Sequence, residues 1–394
     1  MHKKIPLALV ALVFLAFVCS RILPLSLLRV FLAISVTLKS LIIFALPVLI
    51  FGMLFSTFHK LGENASKIFA IAVILLCCSN FLATYVSHFI GEIVYAMDLS
   101  LVKISVAGEL LPAFDLQLPK IVPNVFAMGL GITCGIFIPR INPQYAQRLS
   151  SIVDRVVSRI LRDISMIVPF FLFGFLVKMW CDGIVILLMR QYASIVATMV
   201  GAIAVYLFLF YFFACGMSAR RACPAIKNMF PAAVCAFGSM SSASALPYTI
   251  AAVGKNTKNK SLAKSIVSIT TNIHLLGDCI FIPILVYAIL KSYGFPRPSQ
   301  LAYLIFALQF VVAKFSVAAV PAGGIIVMLP IIERVFGFDG AMSSLIFSLY
   351  VVMDPICTAA NVMGNGAFAQ LIDRVASALA KNKHSEMKPN LRRN

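Results

Sequence analysis

Residues Met353–Arg374 read MDPICTAANVMGNGAFAQLIDR. They lie inside an apolar segment that begins near Ser343, and a segment of that kind reads as a membrane span. Yet this one carries Asp354, Thr358, Asn361 and Asn365. A carboxylate at the centre of a spanning helix costs about 2.5–3.5 kcal/mol on insertion scales, so it points to a substrate or ion site. The four residues are spaced by four, three and four positions and therefore share one helical face. Gly364 and Gly366 allow a neighbouring backbone to approach that face. A polar stripe can also serve only to hold helices together. A lone Asp among amides and hydroxyls is more than such glue requires.

The rest of the composition fits a membrane protein. The 394 residues are 61% hydrophobic and 12% charged, with a mean hydropathy of +0.99. The net charge of +19 does not imply nucleic acid. The basic residues fall in short loops between apolar runs and in the tail (Lys381, Lys383, Lys388, Arg392, Arg393), which is the positive-inside pattern. No nucleic-acid-binding motif is present. Ten cysteines include the adjacent Cys77 and Cys78 but no CxxC, and most lie in apolar runs. They indicate neither a disulfide framework nor a metal site. Residues 5–20 follow a basic start, His2-Lys3-Lys4, as a signal peptide would; with so many spans downstream they read as an uncleaved first span.

Spans are expected at roughly 5–22, 36–58, 67–96, 123–139, 160–180, 192–214, 263–290 and 342–372. Two further apolar stretches, about 225–254 and 302–336, have unusual middles: GSMSSASALP (Gly238–Pro247) and AVPAGG (Ala319–Gly324). Irregular backbone at membrane depth must be buried in protein or line a cavity. Paired, interrupted segments point to the binding site of a secondary transporter. With the N-terminus inside, the basic loops His59–Lys67, Arg140–Arg162, Arg220–Lys227 and Lys255–Lys264 all face the cytoplasm. The longest outside loop, Asp98–Lys120, carries Asp98, Glu109 and Asp115 against Lys103 and Lys120. The topology closes only if both interrupted stretches are re-entrant hairpins, which leaves both termini cytoplasmic. Arg148–Asp163 has charges on one helical side and is expected to run along the membrane surface before entering it. The fold class is an all-α polytopic protein of the plasma membrane, an inner membrane if the source is bacterial.

This order of elements resembles the dicarboxylate/amino acid:cation symporters of the glutamate-transporter type. Four motifs carry the resemblance: SSASALP (Ser241–Pro247), TTNIH (Thr270–His274), VPAGGIIVMLP (Val320–Pro330) and DPICTAANVMGNGAFA (Asp354–Ala369). The N-terminal spans agree only in number and spacing. The resemblance implies eight transmembrane helices plus two re-entrant hairpins, a homotrimer, and an elevator in which a transport domain moves against a fixed scaffold. Residues 1–222 would be mainly scaffold, with spans three and six partly associated with the mobile part. Residues 223–378 would be the transport core and 379–394 a basic tail.

Each motif has a physical reading. Hydroxyls and free N–H groups at Ser241 and Ser242 can hold a carboxylate, as helix N-termini do; a turn packed by small residues is the plainer alternative. Small residues in Ala319–Gly324, with Val320 and Gly323 against the ligand, let a hairpin close as a gate, or simply form a loop. A break at Thr270–His274 would present carbonyls to a hard cation. By resemblance, Asp354 pairs with the substrate's amino group, and Thr358 and Asn361 match the substrate-binding Thr and Asn of the same span.

The departures from the family pattern matter as much. Where many members carry an arginine for an acidic side chain, this chain has Cys357, and at the alternative arginine position Met240. Members that move small neutral amino acids place Cys or Thr at the first position, so a neutral substrate is expected. Family sodium-site acids are replaced by His274 and Asn365, and hydroxyls of the third span align with Cys77 and Cys78. His274 and Asp278, four apart, are expected to pair on one helical face and to carry a proton, or to form a static hydrogen bond. The expected cation set is Thr270, Asn272, His274, Asp278, Asn361 and Asn365. The expected function is therefore Na+- and/or H+-coupled symport of an amino acid, without a prosthetic cofactor. Alternatives are symport of glutamate, aspartate or a C4-dicarboxylate, a passive channel, or an intramembrane hydrolase using Ser241 and His274. Neither GxSxG nor HExxH occurs, so the chain is not expected to be an enzyme.

Overall fold

Long apolar runs must satisfy their own backbone hydrogen bonds in a bilayer, and helix is the local solution. The computed structural model describes residues 5–63, 67–96, 110–116, 118–119, 122, 124–183, 193–317 and 322–387. Among them all regular structure is helical. In chain order the helices are α1 (Ile5–Ile22), α2 (Leu25–Glu63), α3 (Lys67–Ala96), α4 (Asn124–Ile141), α5 (Pro143–Cys181), α6 (Ala193–Ala214) and α7 (Ala219–Ser239). They continue with α8 (Ser242–Asn256), α9 (Lys260–Thr270), α10 (Leu276–Ser292), α11 (Gln300–Lys314), α12 (Gly323–Phe336) and α13 (Gly340–Met387). Val320, most of the Asp98–Lys120 loop, and Lys388, Arg392 and Arg393 lie outside the described residues.

Both interrupted stretches divide into helix pairs. The first is α7–α8, turning at Met240 and Ser241; the second is α11–α12. The seventh expected span divides into α9 and α10 around Thr271–Leu275. Four windows, within α2, α3, α6 and α13, are long and apolar enough to cross a membrane among the described residues.

Two helices run longer than the expected segments. Arg148–Asp163, expected to run along the membrane surface before entering it, lies within one longer helix. Pro143 starts α5, the Asn142 side chain caps it by accepting from Tyr145 N–H (3.0 Å), and the helix runs unbroken to Cys181. The boundary expected at residue 379 also falls inside a helix, since α13 continues to Met387.

Packing sorts the helices into two groups. In the first, α2 lies against α4 and α5, and α1 lies against α5. Gly131 and Gly135, four apart, bring α4 onto the α2 backbone; a methyl there would lie 2.8 and 2.9 Å from the carbonyl oxygens of Phe51 and Phe55. In the second group α3 packs on α10 and α11, α7 on α8, and α13 on α6 to α10. Every residue of α10 except Lys291 is buried, which puts this helix at the centre of the second group. The groups meet where Phe171 and Phe175 of α5 reach Phe347 of α13, with ring centroids 5.1 and 5.3 Å apart.

Candidate functional site

The site is built around the break between α9 and α10. Thr and Asn side chains compete with backbone hydrogen bonding, and here Thr271 Oγ1 donates back to the Val267 carbonyl (2.6 Å). The chain leaves the helix and frees two carbonyls for side-chain amides. Asn80 Nδ2 of α3 donates to Ile273 O (2.8 Å), and Asn365 Nδ2 of α13 donates to His274 O (3.3 Å). The break is thus clamped from two sides.

The polar face of α13 supplies the rest. Asp354, Thr358, Asn361 and Asn365 are all buried. Thr358 Oγ1 donates to Asp354 Oδ1 (3.0 Å), the neighbour one turn away. Asn361 Oδ1 accepts the Gly277 N–H at the start of α10 (2.8 Å), and its Nδ2 donates to Asp278 Oδ1 (3.3 Å). Close approach here depends on glycine. A side chain on Gly277 would run into the carbonyl of Cys357. Gly364 and Gly366 behave differently from expectation: they admit side chains, Leu276 for the first and Met229 with Tyr211 for the second, rather than a backbone.

The turn of the first hairpin and, in the second, Val317 and Ala322 come to this face. In the first, Met240 adopts a left-handed conformation (φ 48°) and Ser241 caps α8, its hydroxyl accepting from Ser244 N–H (3.3 Å). In the second, Ala322 is left-handed (φ 59°) and its N–H donates to Asp354 Oδ2 (2.7 Å). Gly323 and Gly324, both buried, begin α12. Gly324 lies so close to the Asp278 carboxylate and the Tyr350 hydroxyl that any side chain there would collide with both. Between these elements lies a cavity of about 30 Å³, lined by Ser242, Asn272, Asp278, Asp354, Thr358 and Asn361 together with Met240, Leu275 and Val317.

Asp278 does not pair with His274. Its Oδ2 accepts from Lys314 Nζ of α11 (3.0 Å), and its Oδ1 accepts from the Tyr350 hydroxyl (2.8 Å). The i,i+4 relation failed because the helix break falls between the two residues. His274 instead bonds through Nε2 to Ser79 Oγ (2.9 Å) and stacks near Phe368, with centroids 4.7 Å apart. The α3 residues that meet the break are Ser79 and Asn80, whereas Cys78 is exposed. Cys357 is buried but is not among the residues lining the cavity; of the two arginine-replacing positions, Met240 is. Thr270 Oγ1, Asn272 Oδ1 and Asn365 Oδ1 are buried oxygens without a hydrogen-bond partner among the described residues, and they suit a hard cation.

Sequence reasoning missed Lys314, Tyr350, Ser79 and Asn80. Lys314 had a usable signal: it is a lone base in an apolar run, as Asp354 is a lone acid. Tyr350 and Asn80 had none, since a Tyr or Asn in a span reads equally well as packing.

A buried polar cavity between two helical hairpins and a broken helix, in an all-helical apolar chain, defines a membrane transporter. The sequence model of the sodium:dicarboxylate symporter family matches residues 1–375, and the chain belongs to that family. Membership carries cation-coupled symport of dicarboxylates or amino acids, with sodium as the family's coupling ion. No curated protein matches the chain.

Proposed function

We propose that this protein is a sodium-coupled symporter of a small neutral amino acid, with Asp354 holding the substrate's ammonium group. The observation that carries this is the charge of the cavity. Its described lining includes two carboxylates, Asp354 and Asp278, and no Arg or Lys. Asp278 is already neutralised by Lys314. One uncompensated negative charge remains, which suits one ammonium group. The substrate's α-carboxylate goes to the N-terminus of α8 at Ser242, where backbone N–H groups and the helix dipole favour an anion. A second carboxylate on the substrate would find no cation. Met240, Leu275 and Val317 on the lining favour a short apolar or hydroxylated side chain.

Asp354 Oδ2 accepts from the Ala322 N–H, so an arriving ammonium shares that oxygen with hairpin two. Binding is thereby tied to the position of that hairpin, which is what a gate requires. Sodium goes to the oxygens at the break, Thr270, Asn272 and Asn365, with backbone carbonyls completing the shell. Proton carriage by a His274–Asp278 pair no longer has a geometric basis. His274 acts instead as a packed hydrogen-bond partner of α3. The two packing groups support an elevator with α1, α2, α4 and α5 as scaffold and the rest as the moving part, with α3 and α6 wholly in that part. Eight crossings, two re-entrant hairpins, a trimer, cytoplasmic termini and a plasma-membrane location complete the reading.

The test is uptake into proteoliposomes under an imposed sodium gradient, with labelled serine and alanine set against aspartate, glutamate and succinate. Accumulation of serine or alanine that excess aspartate does not inhibit is the expected result. Preferential uptake of aspartate or succinate would overturn the neutral-substrate assignment. Met240→Arg, which adds a cation at the cavity wall, should move selectivity toward acidic substrates. Equilibration without accumulation would indicate a channel.

A further inference from the structure

Lys314 is a base with no solvent exposure, and the side chain of its partner Asp278 is only 2% exposed. We propose that the Lys314 ammonium is a tethered cation, filling a cation position that Asp278 would otherwise offer to a dissociable sodium ion. This rests on the cation-coupled reading and adds to it a fixed charge in place of one coupling ion.

The geometry is that of an occupied ion site. Asp278 Oδ1 accepts from the Tyr350 hydroxyl (2.8 Å) and the Asn361 amide (3.3 Å), which orient the carboxylate; Oδ2 receives the ammonium at 3.0 Å. The ammonium also lies over the Phe310 ring, 4.2 Å from its centroid, a surface that attracts cations. Asp278 also lines the cavity, next to the second carboxylate, Asp354. Two carboxylates in one small, buried cavity repel each other unless a positive charge accompanies them. A bare sodium ion beside Asp278 would meet that need. Lys314 meets it permanently, because its stem is anchored at the end of α11, on the first arm of hairpin two. The second arm lies on the same carboxylate through Gly324. The tethered charge therefore travels with the hairpin and is never released.

A static ion pair that merely holds helices together makes a different forecast when it is broken. The experiment is equilibrium binding of ²²Na+ to the purified full-length protein in detergent, without substrate, counting ions per chain. Lys314→Met leaves Asp278 unpaired beside the cavity, and it should bind one more sodium ion than the unmodified protein. The charge-neutral double variant Lys314→Met with Asp278→Asn should bind the same number as the unmodified protein. It also retains packing should the single variant fail to fold. An unchanged count in Lys314→Met would overturn the proposal. So would the loss of one ion in the double variant, because Asp278 would then already hold a dissociable ion. Because the readout needs no substrate, it is separate from the uptake assay: failed sodium-driven uptake would sink the symport reading and leave the ion counts to decide the tether.

Discussion

The two hairpins reach the same cavity but are fastened differently. Hairpin one, α7–α8, packs on α13 and is tied by side-chain bonds across its own arms. Asn228 Nδ2 donates to Asn256 Oδ1 (2.7 Å) and Asn256 Nδ2 to Ala225 O (3.0 Å) across its arms, while Ser241 caps its own helix. Hairpin two, α11–α12, also bonds across its arms, Arg334 Nη2 donating to Gln309 Oε1 (2.5 Å), but it is tied in addition to the two carboxylates of the site, through Lys314 on Asp278 and Ala322 on Asp354. A hairpin with no tie to the site's carboxylates is a wall. A hairpin fastened by the groups that bind ligand can be released by ligand. In the proposed mechanism the difference assigns hairpin two the role of gate, although both pairs carry a left-handed non-glycine residue.

The largest expected effect comes from denying hairpin two its seat. Gly324→Val places a branched side chain against Asp278 and Tyr350, where there is no room. Sodium-driven uptake should fall below detection. Uptake at more than a third of normal would show that α12 does not need to lie on the carboxylate.

Next is the contribution of hairpin one to binding. Ser242 lines the cavity, and Ser242→Ala removes a hydroxyl worth about 1 kcal/mol, so KM should rise roughly five- to tenfold. An unchanged KM would move the substrate carboxylate elsewhere. Ser241→Ala, by contrast, removes a helix cap, which costs about 1 kcal/mol of stability. It should lower Tm by about 2–4 °C. Substrate affinity should change less than in Ser242→Ala; the reverse ranking would make Ser241 the ligand.

The smallest effect is at the left-handed turn of hairpin two. Ala322→Gly relieves a conformation that costs a residue with a Cβ about 1 kcal/mol, partly offset by the freer unfolded chain. A Tm rise of no more than about 2 °C, with affinity kept, is expected. A marked loss of affinity would mean that the Ala322 methyl itself contacts substrate.

Much of this arrangement was legible before the structure. The lone Asp354 and its four-three-four spacing announced a polar face, because a carboxylate in an apolar run demands compensation. The two broken stretches announced hairpins, because small polar middles cannot face lipid. What could not be read was which partner each charge would take. His274 and Asp278 satisfied a helical spacing rule, but the break at Thr271–Leu275 removed the helix on which that rule depends. Lys314, thirty-six residues from Asp278, had no local pattern linking the two. The reach of Ser79 and Asn80 to the break likewise depends on how α3 packs on α10, which no spacing within either segment encodes.

The central claim is that Asp354 is the substrate's anchor and the latch of hairpin two. Its most direct test is calorimetric titration of serine, in saturating sodium, into the unmodified protein and Asp354→Asn. Truncating a buried charge pair costs about 2–5 kcal/mol, so the variant's affinity should fall at least thirtyfold while its Tm and oligomeric state are kept. Affinity within threefold of the unmodified protein, in a folded variant, would contradict the claim.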